Sequence, residues 1–291
     1  MKILLLGKNG QVGWELQRTL APLGEITALG RQELDLTNET AIRSTVRSVK
    51  PDLIINAAAY TAVDKAEEEP DLAMAVNGIA PGILAEEAAL IKAPIVHYST
   101  DYVFDGTKKE PYTENDTPHP INTYGKTKLV GEEAIRQTGV AHLILRTSWV
   151  YSLRGQNFLL TIRHLAAERD ELSIVSDQYG APTWARMIAE ATAQLLALNI
   201  QTNSKPNNNK CLYHLTAAGE TTWHGFAEAI ISQAGNNEKN RLTLKAVKTD
   251  DYPTPAARPF NSLLDNNLLK EHYGIKLPNW RKQLELALAS D

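Results

Sequence analysis

The chain opens on KILLLGKNGQVG, residues 2–13, a continuous apolar run that ends in one glycine and is followed by two more at intervals of three. A run without polar alternation suits a strand buried on both faces. The next stretch, VGWELQRTL, has the pattern of a helix. Gly7 serves the tight exit turn, Gly10 lets the backbone approach a pyrophosphate, and Gly13 lets the helix pack close to the strand. The helix N-terminus adds free N–H groups and the positive end of a dipole. Strand, glycine turn and helix, in that order, point to a nucleotide-binding α/β sheet.

The rest of the first half repeats the theme. EITALG (25–30), DLIINAAA (52–59), APIVHYST (93–100) and HLILRTSWVY (142–151) read as further buried strands. Between the second and third, Asn38 is placed to cap a helix whose stripe is Ile42, Thr45, Val46 and Val49, ending before Pro51. Repeated β–α–β order predicts a Rossmann-type doubly wound parallel sheet over residues 1–150. Residues 151–291 are less regular and are expected to form mainly a smaller substrate-binding region, with some elements returning to the first domain. ELSIVSD (171–177) and CLYHLTA (211–217) read as strands, WARMIAEATAQLLAL (184–198) and WHGFAEAIISQAG (223–235) as helices. QTNSKPNNNK (201–210) reads as a polar surface loop, and YPTPAARP (252–259), with three prolines, as irregular.

Composition bounds the partners. With 291 residues, 43% of them hydrophobic, and a net charge of −4, nothing draws the chain as a whole to nucleic acid or to an anionic membrane. A single cysteine, Cys211, excludes an internal disulfide framework and suits a reducing compartment. No stretch is expected to reach the roughly 20 apolar residues of a membrane span. A cytoplasmic protein is the expectation. The histidines are scattered without metal-ligand spacing. His97, inside a strand, reads as a packed, hydrogen-bonded residue.

The end of the second strand normally reads the adenosine ribose, with an acid for a 2′-hydroxyl or an arginine for a 2′-phosphate. LGRQ offers Arg31, which leans toward NADPH while leaving NADH possible; a merely solvated Arg31 is the alternative. Asp35 either contacts the adenine region or begins the next helix.

TYGKTK, residues 123–128, sets Tyr124 and Lys128 four apart on a helix start, so that both can approach one point. A phenol with a pKa of about 10 is a poor acid near neutrality. A neighbouring ammonium favours the phenolate and lowers that value, so Tyr124 can give a proton to a carbonyl oxygen as hydride arrives. Thr100 ends the fourth strand at the carboxyl edge of the sheet, where its hydroxyl can bond the same carbonyl.

Glycine turn, NAAAYTAVD, HYSTDYVFDG and YGKTKLVGE in this order resemble the extended short-chain dehydrogenase/reductase superfamily, with its Ser/Thr–Tyr–Lys set. Sugar-nucleotide dehydratases of that superfamily carry an Asp–Glu pair after the Thr100 position. Here it is Asp101–Tyr102, so the base for elimination is absent while ketone reduction loses nothing. With LRTSWVY, DQYGAPT and ARPFNSLLD, most of the chain is similar to the dTDP-4-dehydrorhamnose reductase family. That resemblance implies reduction of the C4 ketone of a dTDP-4-keto sugar by NAD(P)H. It implies Tyr124 as proton donor, Lys128 tuning it and holding the ribose, and Thr100 orienting the ketone. Gly7, Gly10, Gln11, Val12 and Gly13 would form the pyrophosphate turn, Asp35 and Leu36 would flank the adenine, and Ala58, Ala59 and Tyr60 would line the cleft. Asp101, Tyr102 and Trp149 match positions that contact sugar or nucleotide. Arg258 is assigned to the diphosphate, since a guanidinium bonds two phosphate oxygens. Core packing of Trp149 and Tyr102, and an ion pair for Arg258, are the alternatives. A non-catalytic NADP-binding regulatory subunit, or a reductase or epimerase for another sugar nucleotide, would share the fold; the first would not need the intact catalytic set.

Some relatives dimerise through Mg²⁺ bound by two glutamates, one early in the first helix and one just after GAPT. Glu15 matches the first, but Arg186 stands where the second would fall, with Glu190 a turn further on. The expectation is a monomer or weak homodimer that binds no metal and needs no Mg²⁺.

Overall fold

The computed structural model describes residues 1–202, 210–233 and 242–290. The first half runs β1 (Lys2–Leu6), α1 (Gln11–Thr19), β2 (Glu25–Leu29), α2 (Glu39–Val49), β3 (Leu53–Asn56), α3 (Val63–Glu68) and α4 (Pro70–Met74). A π-helical turn (Ala75–Ile79) then leads into α5 (Ala80–Ile91), β4 (Ile95–Thr100), α6 (Thr123–Thr138) and β5 (His142–Thr147). The second half continues with β6 (Val150–Tyr151), α7 (Phe158–Glu168), β7 (Glu171–Val175), β8 (Tyr179–Gly180), β9 (Thr183–Trp184), α8 (Ala185–Thr202) and β10 (Lys210–His214). It ends with β11 (Thr221–Thr222), α9 (Trp223–Gln233), β12 (Thr243–Val247), α10 (Asn267–Tyr273) and α11 (Trp280–Leu288).

Six of these strands form one parallel sheet in the order β10-β5-β4-β3-β1-β2. The order reverses between β1 and β3, and that switch point opens a crevice at the carboxyl ends of the strands. Strand alternation sends Ile3 and Leu5 to one face, against Leu16 of α1 and Leu20 just after it, Ile188 and Leu195 of α8 and Leu269 of α10. Leu4 and Leu6 go to the other, against Ile42 and Val46 of α2, Leu84 of α5 and Ile135 of α6. Each such buried Leu or Ile contributes about 1.5–3 kcal/mol of transfer free energy. The doubly wound Rossmann-type sheet is thus what the apolar runs specify. From the second half, β10 joins the sheet beside β5, and α8 packs on α1. Apart from α10, already placed on the sheet, the remaining late elements close a separate core around Tyr151, Leu159, Trp184, Phe226 and Trp280.

Local signals act as expected in α2, where the Asn38 side chain accepts from Ala41 N and Lys50, at φ 48°, ends the helix before Pro51. Three expectations change or fall outside. HLILRTSWVY is not one strand: β5 stops at Thr147, opposite Thr100, and the chain turns through Trp149 at φ 46° before β6 pairs with β9. The ladder has no neighbour to follow beyond Thr100, and Ser148 Oγ bonds Ala181 O instead. Pro70–Ile91, 22 residues, is long and apolar enough to cross a membrane, which the sequence reading did not foresee; half of it is buried inside the molecule. The predicted loop 201–210 begins inside α8 and ends in β10, and its residues 203–209 lie outside the described ones, as do the last two of WHGFAEAIISQAG.

Candidate active site

A cleft of about 580 Å³ opens over the switch point, and it gathers Gly7, Gly10, Gln11, Val12, Arg31, Asp35, Leu36, Ala58, Ala59, Tyr60, Tyr124 and Lys128 on its walls. Gly13 lies beneath it. Gly7 sits at φ 85°, where a Cβ would meet Ala58 N at 2.6 Å, and a Cβ on Gly13 would meet Gly7 O at 2.0 Å. Both positions exclude side chains so that α1 can press on the β1 turn. Helix α1 starts at Gly10 with no side-chain cap, so its first N–H groups have no side-chain acceptor. This is the donor set that a pyrophosphate needs. Gln11 is committed elsewhere: its Oε1 accepts from Ser152 Oγ and Asn157 Nδ2, each at 2.9 Å, joining the turn to the second half.

At the adenosine end Arg31 is exposed on the cleft wall. Asp35 does not begin a helix: its Oδ1 accepts from Thr37 N and Thr37 Oγ1, both at 2.9 Å, and α2 starts four residues later. Leu36 is largely in the core, with an edge on the cleft. A carboxylate the sequence reading passed over, Glu33, folds back on the end of β2. It accepts from Gly30 N at 2.9 Å and pairs with Lys8 at 2.6 Å, bonds that hold it below the usual carboxylate range. Its offset of four residues from Leu29, the end of β2, hid it.

On the opposite wall α6 presents the tyrosine. Asn122 caps the helix by accepting from Gly125 N at 2.8 Å, which sets Tyr124 in its first turn. The Tyr124 phenol lies beside Thr100, whose hydroxyl favours the phenolate. Thr100 Oγ1 donates in turn to Asp101 Oδ1 at 3.0 Å and accepts from Tyr102 N at 3.2 Å. The Tyr102 ring stands edge-on to Tyr124 at 5.6 Å. Burial pushes the Tyr124 phenol up to about 12, and the neighbouring Thr100 hydroxyl works against it. Lys128 Nζ reaches inward to Tyr98 O at 2.6 Å, and burial brings the lysine down to about 8. Asp101 is buried with Oδ2 lacking a partner, and burial raises its carboxyl to about 7.

Thr100, Asp101, Tyr102, Trp149 and Arg258 lie off the walls of that cleft. Thr100 and Tyr102 adjoin Tyr124, and Arg258, beside Tyr102, bonds Asp64. Trp149, just past β5, stacks on Trp223 at 3.5 Å with the rings 4° from parallel, and a Cβ on Gly180 would meet its indole at 2.3 Å. Both contacts come from the second half of the chain.

Two further residues matter that the sequence reading did not assign to the site. Asn77, buried in the π-helical turn, accepts from Tyr60 N at 2.9 Å and donates to Tyr60 O at 3.0 Å, fixing the cleft wall. His97 is the packed histidine expected, and its Nε2 lies 3.2 Å from Lys128 Nζ. A polar side chain in an otherwise apolar buried strand must have a partner, which is the signal that could have found it. Arg186, on α8, pairs with Glu190 at 2.9 Å. Among the described residues no group of three or more His, Cys, Asp or Glu is placed to hold a metal ion.

With this geometry in place, residues 1–291 match the family of the RmlD substrate binding domain. The chain is 49% identical over 292 residues to a Burkholderia thailandensis protein named dTDP-4-dehydrorhamnose reductase, covering 99% of this chain and 98% of the relative. It is 46% identical over 289 residues to an Escherichia coli protein of the same name, covering 97% and 95%. Its fold is similar to that of the dTDP-4-dehydrorhamnose reductase from Bacillus anthracis solved in complex with NADP, at a TM-score of 0.90 and 34% identity, covering 100% of this chain and 99% of that one.

Proposed function

The chain belongs to the RmlD substrate binding domain family, that of the dTDP-4-dehydrorhamnose reductases, and on that premise we propose that it reduces the C4 ketone of dTDP-4-dehydro-L-rhamnose to dTDP-L-rhamnose. NADPH, when bound, supplies the hydride. Its fit is supported by the uncapped α1 start and by glycines where a Cβ would fill the turn. Arg31 at the adenosine end favours the phosphorylated cofactor over NADH.

Within this reading the residues divide the work. Tyr124, holding its proton well above neutral pH, gives it to the oxygen that becomes the C4 hydroxyl. Thr100, beside the tyrosine and bonded to Asp101, orients the ketone. Lys128 holds the cofactor ribose from the cleft wall. Asp101, Tyr102, Trp149 and Arg258 receive the sugar and its diphosphate. Residues 1–150 hold the dinucleotide, and 151–291 supply mainly the sugar-nucleotide side. No Mg²⁺ takes part, since Arg186 fills the glutamate position and engages Glu190. The enzyme works in the cytoplasm as a monomer or weak homodimer.

The observation that carries the proposal is that Tyr124 and Lys128 of α6 share one cleft with Gly7 and Gly10 of the glycine turn. The test is NADPH oxidation with enzymatically generated dTDP-4-dehydro-L-rhamnose, the product identified by NMR. Stoichiometric dTDP-L-rhamnose supports the reading; folded protein that binds NADPH but gives no product refutes it.

A further inference from the structure

Lys128 is held on its inner side by a chain of buried side chains that the mechanism above does not use. Asn56 ends β3, His97 is its partner in the parallel register of β4, and both are fully buried. Asn56 Nδ2 lies 3.2 Å from His97 Nδ1, and His97 Nε2 lies 3.2 Å from Lys128 Nζ. At the far end Ala58 N–H donates to Asn56 Oδ1 at 3.2 Å, and Ala58 lines the cofactor cleft.

That order fixes the protons. Ala58 N–H requires the atom facing it to be the amide oxygen, so the NH₂ faces His97 and donates. His97 Nδ1 is then an acceptor, and the proton of the neutral ring sits on Nε2, aimed at Lys128. A bond from Nε2–H to Nζ needs a lone pair, which only the neutral amine has. An ammonium instead needs Nε2 bare. That places the ring proton on Nδ1 and turns the Asn56 amide over, leaving Ala58 N–H against an NH₂. Burial and the neighbouring Lys128 hold the imidazole well below its ordinary range, so the doubly protonated ring does not intervene.

We propose that Asn56 and His97 form a two-position switch that sets the charge of Lys128, with Nε2–H opposite the neutral amine and Nδ1–H opposite the ammonium. His97 is thus a positioning residue. In passing from the first position to the second, Nε2 hands its proton to Nζ, Nδ1 takes one from solvent, and the amide oxygen of Asn56 turns toward it. The net gain is one proton. The other titratable and charged groups on the elements around Lys128 are Tyr124 and Glu132 on its own helix, Tyr98 of β4, whose carbonyl Nζ bonds, Asp101 and Tyr102 just after β4, and Arg146 of β5. Arg146 bonds both Glu132 oxygens and offsets that charge. This inference rests on the reading of Lys128 as a cofactor contact: an anionic dinucleotide favours the ammonium, and through it the second position.

The test is the ¹⁵N NMR spectrum of the imidazoles in the full chain from pH 6.5 to 10, with the His97 signal assigned by its absence in His97→Gln. Alongside it the Kd of NADPH is measured over the same range for wild type, Asn56→Asp and His97→Gln. The expected tautomer changes from Nδ1–H to Nε2–H with a midpoint near the lysine value of about 8, and saturating NADPH moves the midpoint up. Wild-type Kd should weaken about tenfold per pH unit above that midpoint. The carboxylate introduced by Asn56→Asp accepts from both Ala58 N–H and Nδ1–H, so it should lock the second position. That should move the limb up by about one pH unit or more. His97→Gln, which can turn its oxygen to the ammonium, should move it the same way and serves if Asn56→Asp does not fold. A single tautomer throughout, or an unmoved limb in the folded variants, overturns the switch. A wild type that fails to bind NADPH counts against the cofactor reading instead, and the tautomer titration still decides the switch.

Discussion

The Arg258 guanidinium meets the Asp64 carboxylate at 2.7 Å across 194 residues of sequence. Ala256 N donates to the same carboxylate at 3.2 Å, so the proline-rich segment is fastened to α3 beside Tyr102. A diphosphate would therefore find a cation already held in place, with little side-chain freedom left to lose. Arg258→Ala should raise KM for the sugar nucleotide roughly 10- to 100-fold, as expected for losing hydrogen bonds worth about 1.5–3 kcal/mol, with the Kd of NADPH unchanged. Asp64→Asn, which leaves the cation but loosens it, should raise KM less. Equal KM values for wild type and Arg258→Ala would remove Arg258 from the substrate site.

Arg146 and Glu132 form a bidentate pair at 2.8 and 2.7 Å between β5 and α6, both buried. The pair anchors the helix that carries Tyr124 and Lys128. Glu132→Gln leaves a buried guanidinium without its counter-charge and should cost about 3–5 kcal/mol of stability in urea unfolding. A change below about 1 kcal/mol would mean that water reaches the pair.

Acid should destabilise the fold through His214. Burial, aided by the charge of Arg146, holds it down to about 3, whereas in the unfolded chain it titrates near the usual 6.5. Above about 6.5 both states are neutral and stability does not depend on this group. Between that value and about 3 the unfolded chain binds a proton that the folded chain refuses, so stability falls as pH falls. Thermal unfolding between pH 8 and 4 should show this decline, and His214→Leu should flatten it. An equally steep decline in the variant would assign it to other groups.

Much of this was legible in local sequence. The apolar runs specify buried parallel strands because their alternation has no polar face, and Gly7 and Gly13 mark a turn that no side chain fits. Thr100, Tyr124 and Lys128 could be singled out because strand end and helix start fix where they emerge. What stayed hidden depends on distant elements meeting. Trp149 leaves the sheet because β5 ends level with Thr100 of β4 and because Trp223 and Gly180 arrive from the second half. The spacing of Tyr124 and Lys128 showed that they share a helix face. It could not show that Nζ turns inward to Tyr98 O and His97, since that needs the packing of α6 on β4. Glu33 was missed because its carboxylate reaches Gly30 only once the chain folds back on the strand end.

The proposed metal independence rests on α8, where Arg186 and Glu190 satisfy each other at 2.9 Å. Turnover should be unchanged by excess EDTA, and metal analysis of the purified protein should find no stoichiometric Mg²⁺. Activity abolished by chelator and restored by Mg²⁺ would show that Glu190 can release its partner.

The most direct test of the account compares wild type with Tyr124→Phe on dTDP-4-dehydro-L-rhamnose, with kcat and the Kd of NADPH measured on the same preparations. If Tyr124 supplies the proton, kcat should fall by about 10²- to 10⁴-fold while NADPH binds as before. A variant that turns over within a few-fold of wild type would contradict the central claim and place the acid elsewhere, with Asp101 the next residue to replace.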